Sequence, residues 1–234
     1  MRIYADCREL ISEMFRDVHE MGIITTPKSY QNKNIEGDDN FITKELESYV
    51  YKLQSLANVG DLFRFEGTQE WADAEFEERV AYNFINPGEA WKNRKGTWEQ
   101  FLNSSGMFDY TYNQRINPRL ALPRIVKELE ENPDTRQCWL PIFQPGDVRY
   151  MRGSKRIPCS LGYYFKVNDG VLTMTYIQRS ADAVAHLGND IYLAWRMMEY
   201  VSEKANLKPG GIIHHIFSLH AYKKDWETLA KGIS

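Results

Sequence analysis

Residues 158–182 read PCSLGYYFKVNDGVLTMTYIQRSAD and contain two runs that are rich in β-branched and aromatic residues. The runs, 158–166 and 171–178, have the composition of β-strands. Asn168-Asp169-Gly170 lies between them, and a turn sequence of this kind between two such runs predicts a β-hairpin. Two further runs, 136–143 and 211–219, are also predicted strands, so the second half of the chain is expected to build a sheet.

Helices are predicted mainly before these strands. Apolar residues at helical spacing predict helices over 6–21, from Thr43 to about residue 56, over 117–131 and over 190–205. Asn117-Pro118 is expected to start the third of these, and Lys208-Pro209-Gly210-Gly211 to end the last. Residues 58–117 show no clear pattern. Helices followed by strands predict an α+β fold with helices on one face of a sheet.

Composition limits the class of protein. The 234 residues contain no linker-like stretch, which predicts one domain over 1–234. The net charge of −3 disfavours a duplex-DNA binder. Three cysteines are no disulfide framework, so a reducing compartment, the cytoplasm, is expected. Neither a signal peptide nor a membrane-spanning run is predicted.

Three groups of residues have chemical potential. Cys159 follows Lys155 and Arg156, and nearby cations favour a thiolate nucleophile, although a buried structural cysteine is the alternative. The segment 178–182, Gln-Arg-Ser-Ala-Asp, offers a guanidinium, a hydroxyl and acceptors at a strand end, typical of an anion or nucleotide site or else of a solvated turn.

The third group lies on the last predicted strand. His220 and Tyr222 share one face at a spacing of two, and they suit sugar hydroxyls or an exposed strand face. His214-His215 lacks further groups at ligand spacing, so no metal site is predicted.

Four blocks follow the order and spacing of the thymidylate synthase family: Pro158-Cys159, 178–182, 187–191 and 218–222. The earlier half is also similar to that family. Lys44-Glu45-Leu46 resembles its helix with the catalytic glutamate. The segment from Trp98 to Tyr112 resembles its Trp–Gly–Tyr segment, and 132–136 resembles the loop whose arginines reach the partner subunit's phosphate site. The resemblance covers about residues 40–226.

This resemblance implies a thymidylate synthase-like fold, a mixed sheet with helices on one face and the other face in a homodimer interface. It also implies two substrates, a pyrimidine nucleoside monophosphate and 5,10-methylenetetrahydrofolate, with no metal. Cys159 would add to C6 of the base and Glu45 would move protons. The resemblance also implies that Arg179, Ser180 and, from the other subunit, Arg136 bind the phosphate. His220 and Tyr222 would bind the sugar, and Gln178, Asp190 and Tyr112 would contact the substrate. Trp98 and Asp182 would contact the folate.

Within the family the chain is most similar to the phage-type deoxycytidylate (dCMP) hydroxymethylases. Asp190 stands where thymidylate synthases carry an asparagine that reads uracil. A carboxyl group accepts from the N4 amino group of cytosine and, when protonated, donates to N3, so Asp190 implies cytosine. The alternative role for Asp190 is to cap the following helix. The implied product is 5-hydroxymethyl-dCMP with release of tetrahydrofolate, in the service of phage DNA modification in the host cytoplasm.

Several positions depart from the family pattern. The histidine after the cysteine is Ser160, the second arginine of the phosphate loop is Gln137, and Lys28 is the candidate for the missing N-terminal phosphate arginine. The sequence ends at Ser234 without the apolar tail that closes over folate, which favours water over hydride at the last step. The alternatives are a dCMP methyltransferase, a thymidylate synthase acting on dUMP, and a non-catalytic nucleotide- or RNA-binding relative.

Overall fold

The structure, a computed structural model, describes residues 1–30, 33–117, 120–151 and 155–233. The helices are α1 Cys7–Met21, α2 Gln69–Val80, α3 Lys95–Trp98, α4 Tyr112–Ile116, α5 Ala121–Glu131, α6 Leu187–Lys204 and α7 Trp226–Lys231. The strands are β1 Arg2–Tyr4, β2 Ile23–Thr25, β3 Ser29–Tyr30, β4 Lys33–Asn34, β5 Thr43–Leu53, β6 Trp139–Pro141, β7 Ser160–Asn168, β8 Val171–Gln178, β9 Ala181–Asp182 and β10 Lys208–Tyr222.

A mixed sheet organises the chain. Its strand order in the described residues is β1-β5-β10-β8-β7-β6, with β2 beside β5 and β9 beside β10. The central strand β10 is antiparallel to β5 and parallel to β8. Helix α6 makes the crossover between the parallel strands β8 and β10 and packs against both. The predicted α+β class is therefore confirmed.

The predicted hairpin is confirmed at β7 and β8. Asn168 pairs with Val171, and the two residues between them, Asp169 and Gly170, have φ values of 49° and 73°. Positive φ at both central positions defines the type I′ turn, whose twist matches that of the flanking strands. The sequence Asp-Gly therefore fixes the register of the hairpin.

Helix α6 is the main helical layer over the sheet. Most of its residues are buried, and Gly188 in its first turn lets the backbone of Leu62 approach closely. A Cβ atom at position 188 would lie 1.8 Å from the Leu62 carbonyl oxygen. Helix α1, capped by the Asp6 side chain, packs against β5 and confirms the predicted helix at 6–21. No helix in the described ranges is long and apolar enough to cross a membrane.

The helix predicted from Thr43 is wrong. Residues Thr43–Leu53 form β5, which pairs with β10 from Thr43–Tyr222 to Leu53–Ile212. Tyr51 and Leu53 are fully buried, whereas Leu46 and Val50 are half-buried. Because apolar side chains stand on both faces of this strand, their spacing also fits a helix, and only the long-range pairing decides between the two. Glu45 therefore lies on a strand and not on a helix.

Two of the predicted helix boundaries lie at other residues in the structure. Helix α5 ends at Glu131 as predicted but begins at Ala121, and Asn117 does not start it; Pro118 lies outside the described residues. The Asn117 side chain instead donates to the carbonyl oxygens of Arg79 and Ala81. Helix α6 ends at Lys204, before the segment Lys208-Pro209-Gly210-Gly211. That segment instead begins β10, and the pairing of β10 with β8 shifts register between Pro209 and Ile212.

The sequence pattern also missed α2. Its apolar residues are few and spread among acidic ones, so they form no clear stripe. Thr68 marks its start, since the Thr68 hydroxyl accepts a hydrogen bond from the Trp71 amide. This helix supplies two side chains to the candidate site.

Candidate active site

A cavity of about 390 Å³ lies where β5, β8 and β10 meet the first turn of α6. It brings together nearly all residues that the sequence analysis singled out. These lining residues are Glu45, Trp98, Tyr112, Cys159, Gln178, Arg179, Ser180, Asp182, Asp190, His220 and Tyr222. They come from distant parts of the chain, and the sheet pairing joins them.

Cys159 immediately precedes β7 and is partly exposed to the cavity. Arg179 fixes the segment around it. The Arg179 amide donates to the Cys159 carbonyl oxygen at 2.8 Å, and its guanidinium donates to the carbonyl oxygens of Pro158 at 3.0 Å and Ile157 at 3.3 Å. Lys155 and Arg156 line the same cavity, so the thiol lies in basic surroundings. Cys7 and Cys138 are buried elsewhere.

Ser160, next to Cys159, is buried among tyrosines. Its hydroxyl lies 2.5 Å from the Tyr176 hydroxyl and donates to the Tyr112 hydroxyl at 3.2 Å. Ser160 does not line the cavity, whereas Tyr112 does. The serine at the family's histidine position therefore orients Tyr112.

Glu45 faces the cavity from β5. Its Oε2 accepts a hydrogen bond from the Thr25 hydroxyl at 3.2 Å. On the neighbouring strand β10, His220 is its cross-strand partner, and the His220 and Tyr222 rings lie 5.1 Å apart. An antiparallel pair thus holds a carboxyl group and two polar-tipped rings side by side.

Asp190 lies in the first turn of α6. The helix begins at Leu187, three residues before Asp190, so the alternative role of Asp190 as the cap is wrong. Instead, Asp190 Oδ2 accepts a hydrogen bond from Gln178 Nε2 at 2.7 Å. Burial raises the pKa of the Asp190 carboxyl, although the Gln178 hydrogen bond opposes that shift. A buried carboxyl group of this kind holds a proton more readily than an exposed one.

A second part of the cavity is built from rings and hydrogen-bond donors. Trp98 stacks on Trp71 with ring centroids 5.7 Å apart, and the Arg156 guanidinium lies 5.4 Å from the Trp98 ring. Asp182 Oδ1 accepts from the amides of Val184 and Ala185. The stacked rings form a flat surface beside the cysteine.

Several buried polar atoms on this surface have no hydrogen-bond partner within the described ranges. They are Trp71 Nε1, Trp98 Nε1, Arg94 Nη1, Arg156 Nε and both amide atoms of Asn189. All five residues line the cavity. Unsatisfied buried polar groups are costly, and the five residues that carry these atoms surround one cavity.

The structure places two predicted residues outside this cavity. Arg136 is exposed, and its carbonyl oxygen accepts from the Tyr164 hydroxyl at 3.5 Å. Lys28 is exposed and pairs with Glu36 at 2.9 Å, while its neighbours Pro27 and Ser29 line the cavity. Neither cation reaches the site of its own chain.

Sequence reasoning missed Trp71, Arg79 and Arg94, because all three come from the unclear region 58–117. Arg79 is buried, pairs with Glu75 at 2.8 Å and lies 4.0 Å from the Tyr112 ring. The Thr68 cap signal could have revealed the helix that carries Trp71 and Arg79. No group of three or more His, Cys, Asp or Glu residues that could hold a metal ion occurs in the described part of the chain.

Comparison with known proteins identifies the family to which the chain belongs. The family model described as thymidylate synthase matches residues 78–234. A provisionally named thymidylate synthase of Methanosarcina barkeri is 30% identical over 138 residues, which are 54% of this chain and 60% of that protein. The chain thus covers less than two thirds of that relative. A similarly named Methanothermobacter marburgensis protein is 23% identical over 86% of this chain and 87% of its own length.

Among solved structures, thermostable thymidylate synthase A from Bacillus subtilis superposes with a TM-score of 0.77. The superposition covers 98% of this chain and 84% of that chain at 13% identity, and it shows the fold. With the family model matching most of its length, the chain belongs to the thymidylate synthase family. The predicted thymidylate synthase-like fold is confirmed.

Proposed function

We propose that the chain is a folate-dependent one-carbon transferase that converts dCMP to 5-hydroxymethyl-dCMP. The observation that carries this proposal is that Cys159, Glu45 and Asp190 line one cavity. A nucleophile, a carboxyl group for proton transfer and a base-reading carboxyl group are what C5 chemistry on cytosine needs. Members of this family use 5,10-methylenetetrahydrofolate as the one-carbon donor, and the ring surface at Trp98 and Trp71 fits a flat second substrate.

The reaction starts at the cysteine. The Cys159 thiolate forms a bond to C6 of the base, and the electron pair of the C5–C6 double bond becomes nucleophilic at C5. C5 then bonds to the methylene carbon of the folate as the bond from that carbon to N10 breaks and N10 takes a proton, and Glu45 removes the C5 proton through ordered water. The bond from the methylene carbon to N5 breaks next, so tetrahydrofolate leaves and an exocyclic methylene remains. Water adds its oxygen to the methylene and gives up a proton, and the electron pair that returns to C5 re-forms the C5–C6 double bond as the thiolate leaves C6.

The remaining side chains hold the nucleotide. Arg179 and Ser180 bind the 5′-phosphate together with Arg136 of the partner subunit, and His220 and Tyr222 bind the sugar. Trp98 and Asp182 face the folate, and Gln178 and Tyr112 complete the base site. Asp190 pairs with N3 and N4 of cytosine, because burial favours its protonated form, which both donates and accepts.

A second candidate is thymidylate synthesis from dUMP. It is favoured by the name of a Mycoplasma pneumoniae relative, "Thymidylate synthase", which is 29% identical over 108 residues. Those residues are 46% of this chain and 37% of that protein. Asp190 argues against it, because a protonated carboxyl group that donates at N3 and accepts at the C4 substituent mismatches the N3–H donor and the O4 acceptor of uracil.

One assay separates these functions. The protein is incubated with dCMP or dUMP and methylenetetrahydrofolate, while dihydrofolate absorbance and product mass are followed. We expect dCMP to gain a hydroxymethyl group with no rise in dihydrofolate. A stoichiometric rise in dihydrofolate with a methylated product would instead show a methyl-transferring enzyme.

Cys159→Ser tests the covalent step. We expect this variant to lose turnover and exchange of the C5 hydrogen while it still binds nucleotide, because a serine hydroxyl is a far weaker nucleophile than a thiolate. Cys138→Ser is the matched control, since Cys138 is buried away from the cavity. Full activity of Cys159→Ser would rule out the covalent adduct.

A further inference from the structure

A row of four polar side chains leads from the sheet interior to the cavity. The Tyr51 hydroxyl lies 2.8 Å from His214 Nδ1, and His214 Nε2 lies 3.0 Å from Gln178 Oε1. Gln178 Nε2 then lies 2.7 Å from Asp190 Oδ2. Tyr51, His214 and Gln178 are at most 1% exposed, so the row is closed to solvent until it reaches Asp190.

The Gln178 amide, with Nε2 towards Asp190 and Oε1 towards His214, sets the direction of donation along this row. Burial lowers the pKa of His214 to about 3, so its imidazole is neutral and has one donor and one acceptor. Gln178 Oε1 can only accept, and therefore His214 Nε2 carries the proton and donates to it. His214 Nδ1 is then the acceptor for the Tyr51 hydroxyl. The NH₂ group of Gln178 donates to Asp190 Oδ2.

The tyrosine hydroxyls in and beside the row are protonated. Tyr176 stacks on His214 with ring centroids 4.5 Å apart, and burial raises the pKa values of Tyr51 and Tyr176. Both hydroxyls therefore stay protonated. The charged or titratable groups around the row are His215 beside His214, Cys7 and Tyr4 near Tyr51, and His186, Arg79 and Arg94 near Asp190.

We propose that Tyr51 and His214 are positioning residues that set the base specificity of Asp190 through Gln178. Because Gln178 donates to Oδ2, this oxygen is the acceptor of the carboxyl group, and a proton on Asp190 belongs on Oδ1. A carboxyl group in this state accepts from the N4 amino group and donates to N3, which matches cytosine. Uracil presents an N3 donor and an O4 acceptor and is mismatched. The inference rests on the proposed function, in which Asp190 reads the base.

Tyr51→Phe is the first test, because it removes one hydroxyl from a buried ring. Without that donor, the His214 proton is free to move to Nδ1, and the Gln178 amide is free to turn its oxygen towards Asp190. We expect the dCMP-to-dUMP ratio of kcat/KM to fall about fivefold to tenfold, the effect of one net hydrogen bond. The pH profile of dCMP turnover is also expected to shift. Tyr49→Phe is the matched control, since the Tyr49 hydroxyl bonds Tyr4 and Asp17 outside the row.

His214→Gln and His214→Leu form a second pair. Glutamine keeps a donor and an acceptor and is expected to retain more of the dCMP preference than leucine, with both variants checked for folding by circular dichroism. In an Asp190→Asn background, Tyr51→Phe should no longer change the ratio, because the carboxyl proton that the row places on Oδ1 is gone.

The outcomes separate the two proposals. Wild-type protein that prefers dUMP overturns the proposed substrate. Wild-type protein that prefers dCMP, with an unchanged ratio and pH profile in Tyr51→Phe, overturns the positioning role alone. An equal change in Tyr49→Phe would show a general structural effect and also overturn it.

Discussion

Burial raises the pKa of Asp190, and the hydrogen bond from Gln178 only partly offsets this effect. The position therefore costs stability at any pH above the ordinary pKa of an aspartate, where the carboxyl group would ionise if the chain unfolded. Native proteins keep such groups where chemistry requires them, which is consistent with a base-reading role beside Cys159. The same residue thus yields two separate expectations, one for specificity and one for stability.

For specificity, we expect Asp190→Asn to shift preference from dCMP towards dUMP. An amide whose oxygen faces N3 and whose NH₂ group faces O4 matches uracil, and in that orientation it mismatches cytosine at both atoms. Two mismatched contacts correspond to discrimination on the order of 10² to 10⁴. Steady-state kcat/KM with both nucleotides measures the shift, and an unchanged ratio would contradict a base-reading role for Asp190.

For stability, Asp190→Asn is expected to raise the free energy of unfolding at neutral pH. In the unfolded chain this carboxyl ionises near its ordinary pKa of 3.8, whereas the folded chain resists ionisation. The penalty is therefore absent below about pH 4 and grows as pH rises towards the folded pKa. Urea unfolding at several pH values should show a gain that vanishes near pH 4. Asp134→Asn, at an exposed position, should show no such trend.

Among the helices and strands, the sequence predicts correctly those for which local sequence preference and tertiary packing favour the same structure. The β7–β8 hairpin and helices α1 and α6 were foreseen because turn chemistry, period and burial all point the same way. The apolar spacing of β5 predicts a helix. Residues of β5 form a strand because they pair with β10, which lies some 170 residues further along the chain. The site residues of β5 and β10 could be singled out from motifs, whereas Trp71 and Arg79 on α2 could not.

The cap of α2 offers a test at this scale. Thr68→Ala is expected to destabilise the protein by about 0.5–2 kcal/mol, because the Trp71 amide loses its acceptor. Since α2 carries Trp71 and Arg79 into the cavity, we also expect a higher KM for folate. Thr68→Ser, which keeps the hydroxyl, should restore most of both values in urea unfolding and kinetics. Equal stability of all three proteins would show that this cap contributes nothing.

At the scale of the whole molecule, the position of Arg136 bears on whether two chains share each active site. It is exposed and lies off the cavity of its own chain, as expected for a residue that serves the neighbouring site of a homodimer. Mixing an Arg136→Ala chain with a Cys159→Ser chain should then restore activity, because one of the two hybrid sites has both groups intact.

The controls for this experiment use another exposed arginine. Arg124→Ala on α5 is expected to keep activity alone and to need no complementation. Each mixture is held under conditions where subunits exchange, with exchange followed by mass-tagged chains. Exchange without regained activity would contradict a shared phosphate site.

The pairing of β5 with β10 has a consequence for biosynthesis. It joins Glu45 to His220, which the ribosome adds to the chain much later. Domains fold as the chain emerges, yet this pair cannot form until β10 has left the exit tunnel. A nascent chain that already holds Cys159, Gln178 and Asp190 therefore lacks a finished nucleotide pocket. Substrate can stabilise the chain only once β10 has paired with β5, and ligand-induced protection of β5 amides from hydrogen exchange would mark that pairing.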